Sequence, residues 1–225
     1  MPSCSKLWHN KEMERRFPKI NRVIRLLVIT DFFYNSAFGS FAPVFAIFIT
    51  GQIAGGSAKV AGFATAVYWI VKSSVQLPIA QFLDRKKNEQ IDFLAMFFGY
   101  LGAGATVFGY IFATEPIHLY LIQGVFGFAM AWAVPAWYKI FTRHVDKWEI
   151  AFEWSLESVF SVGIAAAGAA ALGGYIADRF GFDALFVTAG TLAVAAAFLL
   201  LPLKKNLLPP DHIHKIYPER RPHRF

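Results

Sequence analysis

Long runs that contain no Asp, Glu, Lys or Arg constrain the fold of this chain more than any other feature. Asp31 and Lys59 enclose 27 residues without any of these four types, and Lys72 is the single charge in 60–83. The remaining runs, each of 20 residues or more, are 93–114, 116–138, 158–177 and 184–203. An α-helix needs about 20 apolar residues to cross a hydrocarbon core roughly 30 Å thick. The sequence therefore predicts an all-α membrane protein with six transmembrane helices.

These runs divide the chain into three regions. We predict a polar cytosolic segment over 1–20, a six-helix transmembrane domain over 21–204, and a disordered cytosolic tail over 205–225. The spans are expected near 23–49, 60–83, 92–113, 117–140, 150–176 and 184–203. Membrane-spanning strands would instead read as alternating segments of about 10 residues. The continuous apolar runs favour helices.

The placement of Lys and Arg predicts the orientation. Nineteen of these residues fall before the first span, after every second span, or in the tail, whereas the opposite loops hold only Lys59 and Arg179. Positive charge is retained on the cytosolic side of a membrane. We therefore expect both termini in the cytosol and a multi-pass protein of the cell (inner or plasma) membrane, in contact with its lipids.

Several classes of function are disfavoured. The net charge of +7 does not form a separate aromatic-interleaved basic patch, so we expect no nucleic acid partner. Cys4 is the only cysteine, and His212 and His214 lack a third ligand, so neither metal nor cofactor is expected. Catalytic and ATP-binding motifs are absent, which argues against an enzyme and makes any transport secondary or passive.

A weak internal repeat relates the two halves. Pro43 lies 41 residues before Asp84, and Pro135 lies 43 residues before Asp178, with aromatic-rich stretches after each proline. Because a unit of three helices is odd, two consecutive units must lie in opposite orientations. The spacing favours two inverted three-helix repeats.

Three motifs carry a resemblance to a known family. The loop after span two has Asp84-Arg85 followed by Lys86 and Lys87, span four has Gln123-Gly124, and span five closes with Gly173-Gly174 before Asp178-Arg179. With these motifs the chain resembles one half of the major facilitator superfamily (MFS), as a short, half-length bacterial member. The resemblance implies secondary transport of a small solute by alternating access. Tyr120 replaces the span-four Arg that the family associates with proton coupling, so coupling to H⁺ or another ion is left open.

A half-length member needs a second half. Two six-span copies with cytosolic termini can be related by an axis along the membrane normal, so we expect a parallel homodimer. The alternatives are a separately encoded partner and a truncated half of a twelve-helix transporter. A non-transporting scaffold or accessory subunit that retains the fold is the other hypothesis for function.

Ionisable residues inside the membrane are costly and mark candidate sites. Asp31, Lys72, Glu153 and Glu157 are predicted at similar depth, and Lys72 is expected to pair with Asp31 or Glu157. Such a cluster either lines a translocation pathway or forms a static ion pair between helices.

Polar neighbours extend this candidate pathway. They are Asn35, Gln76 and Gln123, with Tyr34 and Trp69 as aromatic walls. The resemblance further implies that Asp84 and Arg85 form a cytosolic latch that holds one conformation.

Overall fold

The computed structural model describes residues 20–208, and nearly all of them are helical. This part of the chain contains no strand, which confirms the all-α prediction. The predicted segment 1–20 and tail 205–225 lie outside the described residues, apart from residue 20 and residues 205–208.

Seven α-helices form a bundle within the described residues. They are α1 (Arg22–Phe41), α2 (Phe45–Gln52), α3 (Ala58–Arg85), α4 (Glu89–Gly109), α5 (Pro116–His144), α6 (Ile150–Glu157) and α7 (Ala165–Leu199). A 3-10 turn at Ala42–Val44 joins α1 to α2, and a π-helix at Ser158–Ile164 joins α6 to α7. Further 3-10 turns extend α4 over Tyr110–Phe112 and follow α7 over Leu201–Asn206.

Polar side chains fix where three of these helices begin. Asn21, Ser57 and Asn88 precede α1, α3 and α4, and each accepts a hydrogen bond from a backbone N–H two or three residues later. Such caps satisfy N–H groups that have no partner inside the helix. The loops before these helices are therefore encoded locally.

Four helical segments in the described region are long and apolar enough to cross a membrane. They are Arg22–Gln52, Glu89–Phe112, Pro116–His144 and Ile150–Asn206. The last has 57 residues and contains Gly181, whose φ of 83° and ψ of 171° interrupt the helix. Only glycine adopts such backbone angles readily, so this residue marks a kink between two helical parts. The 28-residue α3 is not among these four candidate spans, because Lys72, Gln76 and neighbouring serines lower its hydropathy.

Small residues allow the helices to approach closely. The main helix pairs are α1 with α7, α3 with α5, α4 with α5, and α4 with α7. A Cβ atom on Gly173 of α7 would lie 2.7 Å from Ser40 Cα of α1, and one on Gly127 of α5 would lie 2.6 Å from the Tyr68 carbonyl of α3. Packing through glycine backbones is typical of helix association in lipid.

The buried apolar core has two parts. One lies toward the end of the bundle where α1 begins at Arg22, α4 begins at Glu89, α3 ends at Arg85 and α5 ends at His144, which we call the charged end. The other, around Phe48, Leu119 and Phe186, lies toward the opposite end. Large apolar side chains on the outer surface, such as Phe98, Phe112 and Leu121, are more than half exposed, as expected for contact with lipid.

Candidate functional site

Two acidic side chains lie inside the bundle at one cavity. Asp31 of α1 and Glu157 of α6 are both buried, and their carboxyl groups are close enough to interact electrostatically. The cavity has a volume of about 310 Å³ and five aromatic walls, namely Tyr34, Tyr100, Trp137, Tyr138 and Trp154. None of the described residues that line it is Lys, Arg or His. We call it the acidic cavity.

A tyrosine from α4 holds Asp31 in place. The Tyr100 hydroxyl donates a hydrogen bond of 2.7 Å to Asp31 Oδ1. The Tyr100 ring stacks on Tyr34 with 4.0 Å between centroids, and the Tyr34 hydroxyl donates to Met130 Sδ at 3.2 Å. A buried carboxyl group requires a hydrogen-bond partner of this kind. Tyr100 and Tyr34 thus fix the Asp31 carboxylate within an aromatic wall.

A serine in the π-helix holds Glu157. The Ser161 hydroxyl lies 2.8 Å from Glu157 Oε2 and 3.0 Å from the Val28 carbonyl of α1. A hydroxyl has one proton and two lone pairs, so Ser161 can donate to an ionised Glu157, or accept from a protonated one while donating to Val28. π-Helical turns are rare and frequent at functional sites. Here the turn sets Ser161 beside both partners.

An aromatic cavity adjoins the acidic one on the side away from the charged end. Its volume is about 380 Å³, and it shares Tyr34, Asn35 and Met130 with the acidic cavity. Its aromatic lining includes four rings in a stacked or tilted series, with centroid separations of 4.8 Å, 4.9 Å and 4.8 Å along Tyr68, Phe126, Phe38 and Tyr34. Beyond Tyr34 the stacking continues to Tyr100, whose hydroxyl donates to Asp31. The aromatic series thus connects the aromatic cavity to the Asp31 carboxyl group.

A third cavity opens at the charged end. It has a volume of about 880 Å³, and Tyr138 lines both it and the acidic cavity. Lys87, Lys139 and Arg143 are among its lining residues, with Asp84 as the acidic one, so we call it the basic cavity. The three cavities therefore follow one another along the bundle, with the two carboxyl groups in the middle.

The predicted pairing of Lys72 is wrong. No ion pair among residues 20–208 includes Lys72, and its Nζ lies 4.8 Å and 5.6 Å from the ring centroids of Trp69 and Tyr68. The physical reason is the packing order, because α3 packs chiefly on α5 whereas α1, with Asp31, packs chiefly on α7. The cation is stabilised by aromatic faces instead of a carboxylate.

Glu153 was expected in the same cluster as Glu157, and this prediction is wrong as well. Glu153 is buried, but its Oε2 accepts a hydrogen bond of 2.9 Å from the backbone N–H of Asp146. Its position in the first turn of α6 places it beside the loop from α5, where free backbone N–H groups are available. Glu153 thus fastens a loop and does not line the acidic cavity.

The predicted latch residues Asp84 and Arg85 lie exposed at the end of α3, and no ion pair of the described region includes them. The ion pairs at this end come from α4 and α5 instead. Lys139 Nζ lies 2.9 Å from Asp92 Oδ1, and Arg143 lies 3.1 Å from Asp92 Oδ2.

Further contacts join other segments to these ion pairs. Lys139 also donates to the carbonyls of Leu83 and Lys86, and Glu89 accepts from the Leu208 N–H at 2.7 Å. Arg143 lies 3.7 Å from Glu89. The latch at Asp84 and Arg85 stays a prediction. The ion pairs within residues 20–208 form between α4 and α5, because buried charges need partners whereas exposed ones are solvated.

The other predicted residues lie at the cavities. Asn35 lines both the acidic and the aromatic cavity, Gln123 lines the aromatic cavity with Trp69, and Gln76 lines the basic cavity. The sequence reasoning missed Tyr100 and Ser161. Ser161 follows Glu157 by four residues, a helical spacing that signals a shared face, but nothing local in the sequence links Tyr100 to Asp31.

No group of His, Cys, Asp and Glu suited to a metal ion occurs within residues 20–208. A search of curated proteins finds no match to the chain. The sequence profile of the Major Facilitator Superfamily matches residues 27–221, which include α1 from its sixth residue, all of α2 to α7, and the lining of all three cavities. Together with the all-helical bundle and its apolar membrane-length helices, this match establishes that the chain is a multi-pass membrane protein that belongs to the Major Facilitator Superfamily.

Proposed function

We propose that the chain is a secondary transporter that moves a small organic cation through the three cavities by alternating access. The observation that carries the choice of a cation is the acidic cavity, where two carboxyl groups and five aromatic rings meet with no basic residue among the described lining. Carboxylates and aromatic faces are the two groups that bind organic cations in proteins. The cavity volume of about 310 Å³ suits a solute smaller than most drugs.

Protons compete with the solute for this cavity. Two neighbouring carboxyl groups repel each other when both are ionised, and protonation of one of them relieves this repulsion. Ser161 supports either protonation state of Glu157, whereas Tyr100 donates to Asp31. A proton and a cation thus occupy the pair alternately, which couples their fluxes although Tyr120 stands in place of the family's Arg.

A second six-helix unit covers the open face of the bundle. Trp69 and Tyr138, which line the cavities, are more than half exposed, and Lys72 and Gln76 on α3 are partly exposed beside them. Polar and charged side chains in the hydrocarbon region are stable when they face protein or water. An identical copy related by a two-fold axis along the membrane normal is the partner we propose.

We propose six crossings of the cell membrane, built as two inverted three-helix repeats. The division of the last apolar segment at Gly181 and the length of α3 support the count of six. The excess of Lys and Arg near the charged end supports cytosolic termini. The basic cavity then opens to the cytosol.

Binding of benzyltrimethylammonium, a small aromatic quaternary cation, tests the acidic cavity. Asp31→Asn and Glu157→Gln each remove a charged partner, so we expect about 10- to 100-fold weaker binding by calorimetry for each variant. Asp183→Asn, an exposed acid beyond the Gly181 break, is the matched control and should bind like the unmodified chain. Affinity should fall as pH falls, because protons then occupy the carboxylates.

Flux is measured with the same cation in proteoliposomes under an imposed pH gradient. Gradient-driven uptake that Asp31→Asn abolishes is the expected result. Unchanged binding in both carboxylate variants would disprove the site. Binding without flux, in folded protein at any gradient, would favour the non-transporting scaffold over the transporter.

Cysteine cross-linking tests the covered face. In a Cys4→Ser background, single cysteines at Ser73 and Trp69 on α3 should cross-link two copies in native membranes, whereas cysteines at Leu94 and Phe98 on the lipid-facing side of α4 should not. Equal cross-linking from both faces, or none from α3, would exclude the homodimer and favour another covering unit.

A further inference from the structure

A separate groove lies on the outer surface between α4 and α5, on different residues from the three cavities. It has a volume of about 500 Å³ and a lining of ten apolar residues. Its floor is formed by small residues such as Gly99, Gly102 and Ala129, and its walls include Phe98 and Trp132. Phe98 is 60% exposed, so the groove opens outward to the surrounding lipid.

The two floor glycines have different roles. A Cβ on Gly99 would lie 2.7 Å from the Ala129 carbonyl oxygen, so Gly99 is required for the close contact of α4 with α5. A Cβ on Gly102 would lie 3.5 Å from Ala129 Cβ, which is ordinary contact, so helix packing leaves room for a side chain there. Because Gly102 has no side chain, the groove stays open at this position.

The length of the groove matches one leaflet of a bilayer. Its lining on α4 runs from Ile91 to Gly102, which is roughly 16 Å along a helix axis. Half of a hydrocarbon core is about 15 Å. A single acyl chain that enters at the charged end would therefore fill the groove to its far limit.

A basic residue lies at the end of the groove where a lipid headgroup would sit. Trp132 of the groove wall contacts Phe82 of α3, with 6.2 Å between ring centroids. Lys86 Nζ lies 5.5 Å from the centroid of the same Phe82 ring, and Lys86 is exposed. Arg85 beside it is exposed too, so the charge at this end of the groove favours an anion despite the nearby Asp84.

We propose that this groove is a binding site for an anionic phospholipid, with one acyl chain between α4 and α5 and its phosphate at Lys86. The lipid connects three helices, because Lys86 directly follows α3 while the acyl chain contacts α4 and α5. The site is independent of the acidic cavity and of any transported solute.

Quenching of Trp132 fluorescence by lipids with brominated chains tests the proposal. The full chain is reconstituted in phosphatidylcholine vesicles that contain one-tenth brominated phosphatidylglycerol or, separately, one-tenth brominated phosphatidylcholine. Because the chain has six tryptophans, the signal of Trp132 is taken as the difference from Trp132→Phe. One lysine favours an anionic headgroup by about fivefold, which is the excess quenching expected from the brominated phosphatidylglycerol.

Two kinds of variant separate the headgroup from the chain. Lys86→Gln should reduce the ratio of the two lipids to about one, while Lys59→Gln should leave it unchanged, since Lys59 lies 5.8 Å from the Phe63 ring in a similar arrangement at the other end of α3. Gly102→Leu should lower quenching by both lipids, with the smaller Gly102→Ala as a second variant if leucine impairs folding.

Equal quenching by the two lipids in the unmodified chain would overturn the proposal, as would quenching that neither Gly102 variant lowers. If a second protein copy closes the groove, neither brominated lipid reaches Trp132, and the proposal also fails.

Discussion

Adjacent glycines in α7 have opposite surroundings, and this contrast gives a sharp test of the packing. A Cβ at Gly173 would overlap the backbone of Ser40, since it would lie 2.7 Å from the Ser40 Cα. A Cβ at Gly174 would meet no atom within 4 Å. Gly-to-Ala substitution inside a helix contributes about 0.5–1 kcal/mol of stability through propensity alone. Gly174→Ala should therefore stabilise the protein by that amount.

At Gly173 the same substitution forces α1 away from α7. Overpacking of a tight contact costs about 1–3 kcal/mol, and the contact here is with backbone, which cannot rotate aside. After the helix propensity is subtracted, Gly173→Ala should lower the free energy of unfolding by up to about 2 kcal/mol. The two variants should thus differ by roughly 1–3 kcal/mol, or about 2–12 °C in Tm for a chain of this size.

Intrinsic tryptophan fluorescence during heating in detergent measures both variants, at one scan rate because membrane proteins commonly unfold irreversibly. A thiol-reactive dye is unsuitable, since Cys4 is the only cysteine and lies in the N-terminal segment. Equal Tm shifts for Gly173→Ala and Gly174→Ala would refute the close contact between α1 and α7. So would a rise in Tm for Gly173→Ala.

Three further predictions follow from the site and the charged end. Lys72→Met should tighten binding of the cation severalfold, by about 1 kcal/mol in calorimetry, because it removes a like charge near the pathway; weaker binding would show that Lys72 holds the site together. Tyr100→Phe should lower the unfolding free energy by about 1.5–3 kcal/mol, since Asp31 loses its donor, whereas Tyr138→Phe should change Tm little. Asp92→Asn removes the negative charge that Lys139 and Arg143 share and should cost about 3 kcal/mol in thermal unfolding, against almost nothing for the exposed Asp84→Asn; equal effects would contradict the ion pairs.

The sequence predicted what depends on local pattern. Charge-free runs predicted the helices, because the length and apolarity of a membrane helix are properties of one segment. Asn21 and Ser57 lie where polar caps are expected, and the motif residues led to the correct family. The position of a residue along its helix could also be predicted from the sequence, since Asp31 and Glu157 line the same cavity.

The sequence did not predict which helices pack against each other. Lys72 and Asp31 were placed at similar depth, but depth does not reveal that α3 lies against α5 and α1 against α7. Glu153 and Glu157 share a helix face, yet one lies at a loop and the other precedes a π-helix whose extra residue per turn has no simple sequence signal. Tyr100 was overlooked because its partner is 69 residues away.

The pairing of α1 with α7 has a consequence for synthesis. α1 packs chiefly on α7, and the Val28 carbonyl contacts Ser161, which is 133 residues later in the chain. At about 5–20 residues per second, the ribosome needs roughly 7–27 seconds to reach Ser161 after Val28. During that interval Asp31 waits in the bilayer without Glu157, and for the first part of it without Tyr100. The acidic cavity therefore assembles only after α6 and the π-helix have been synthesised.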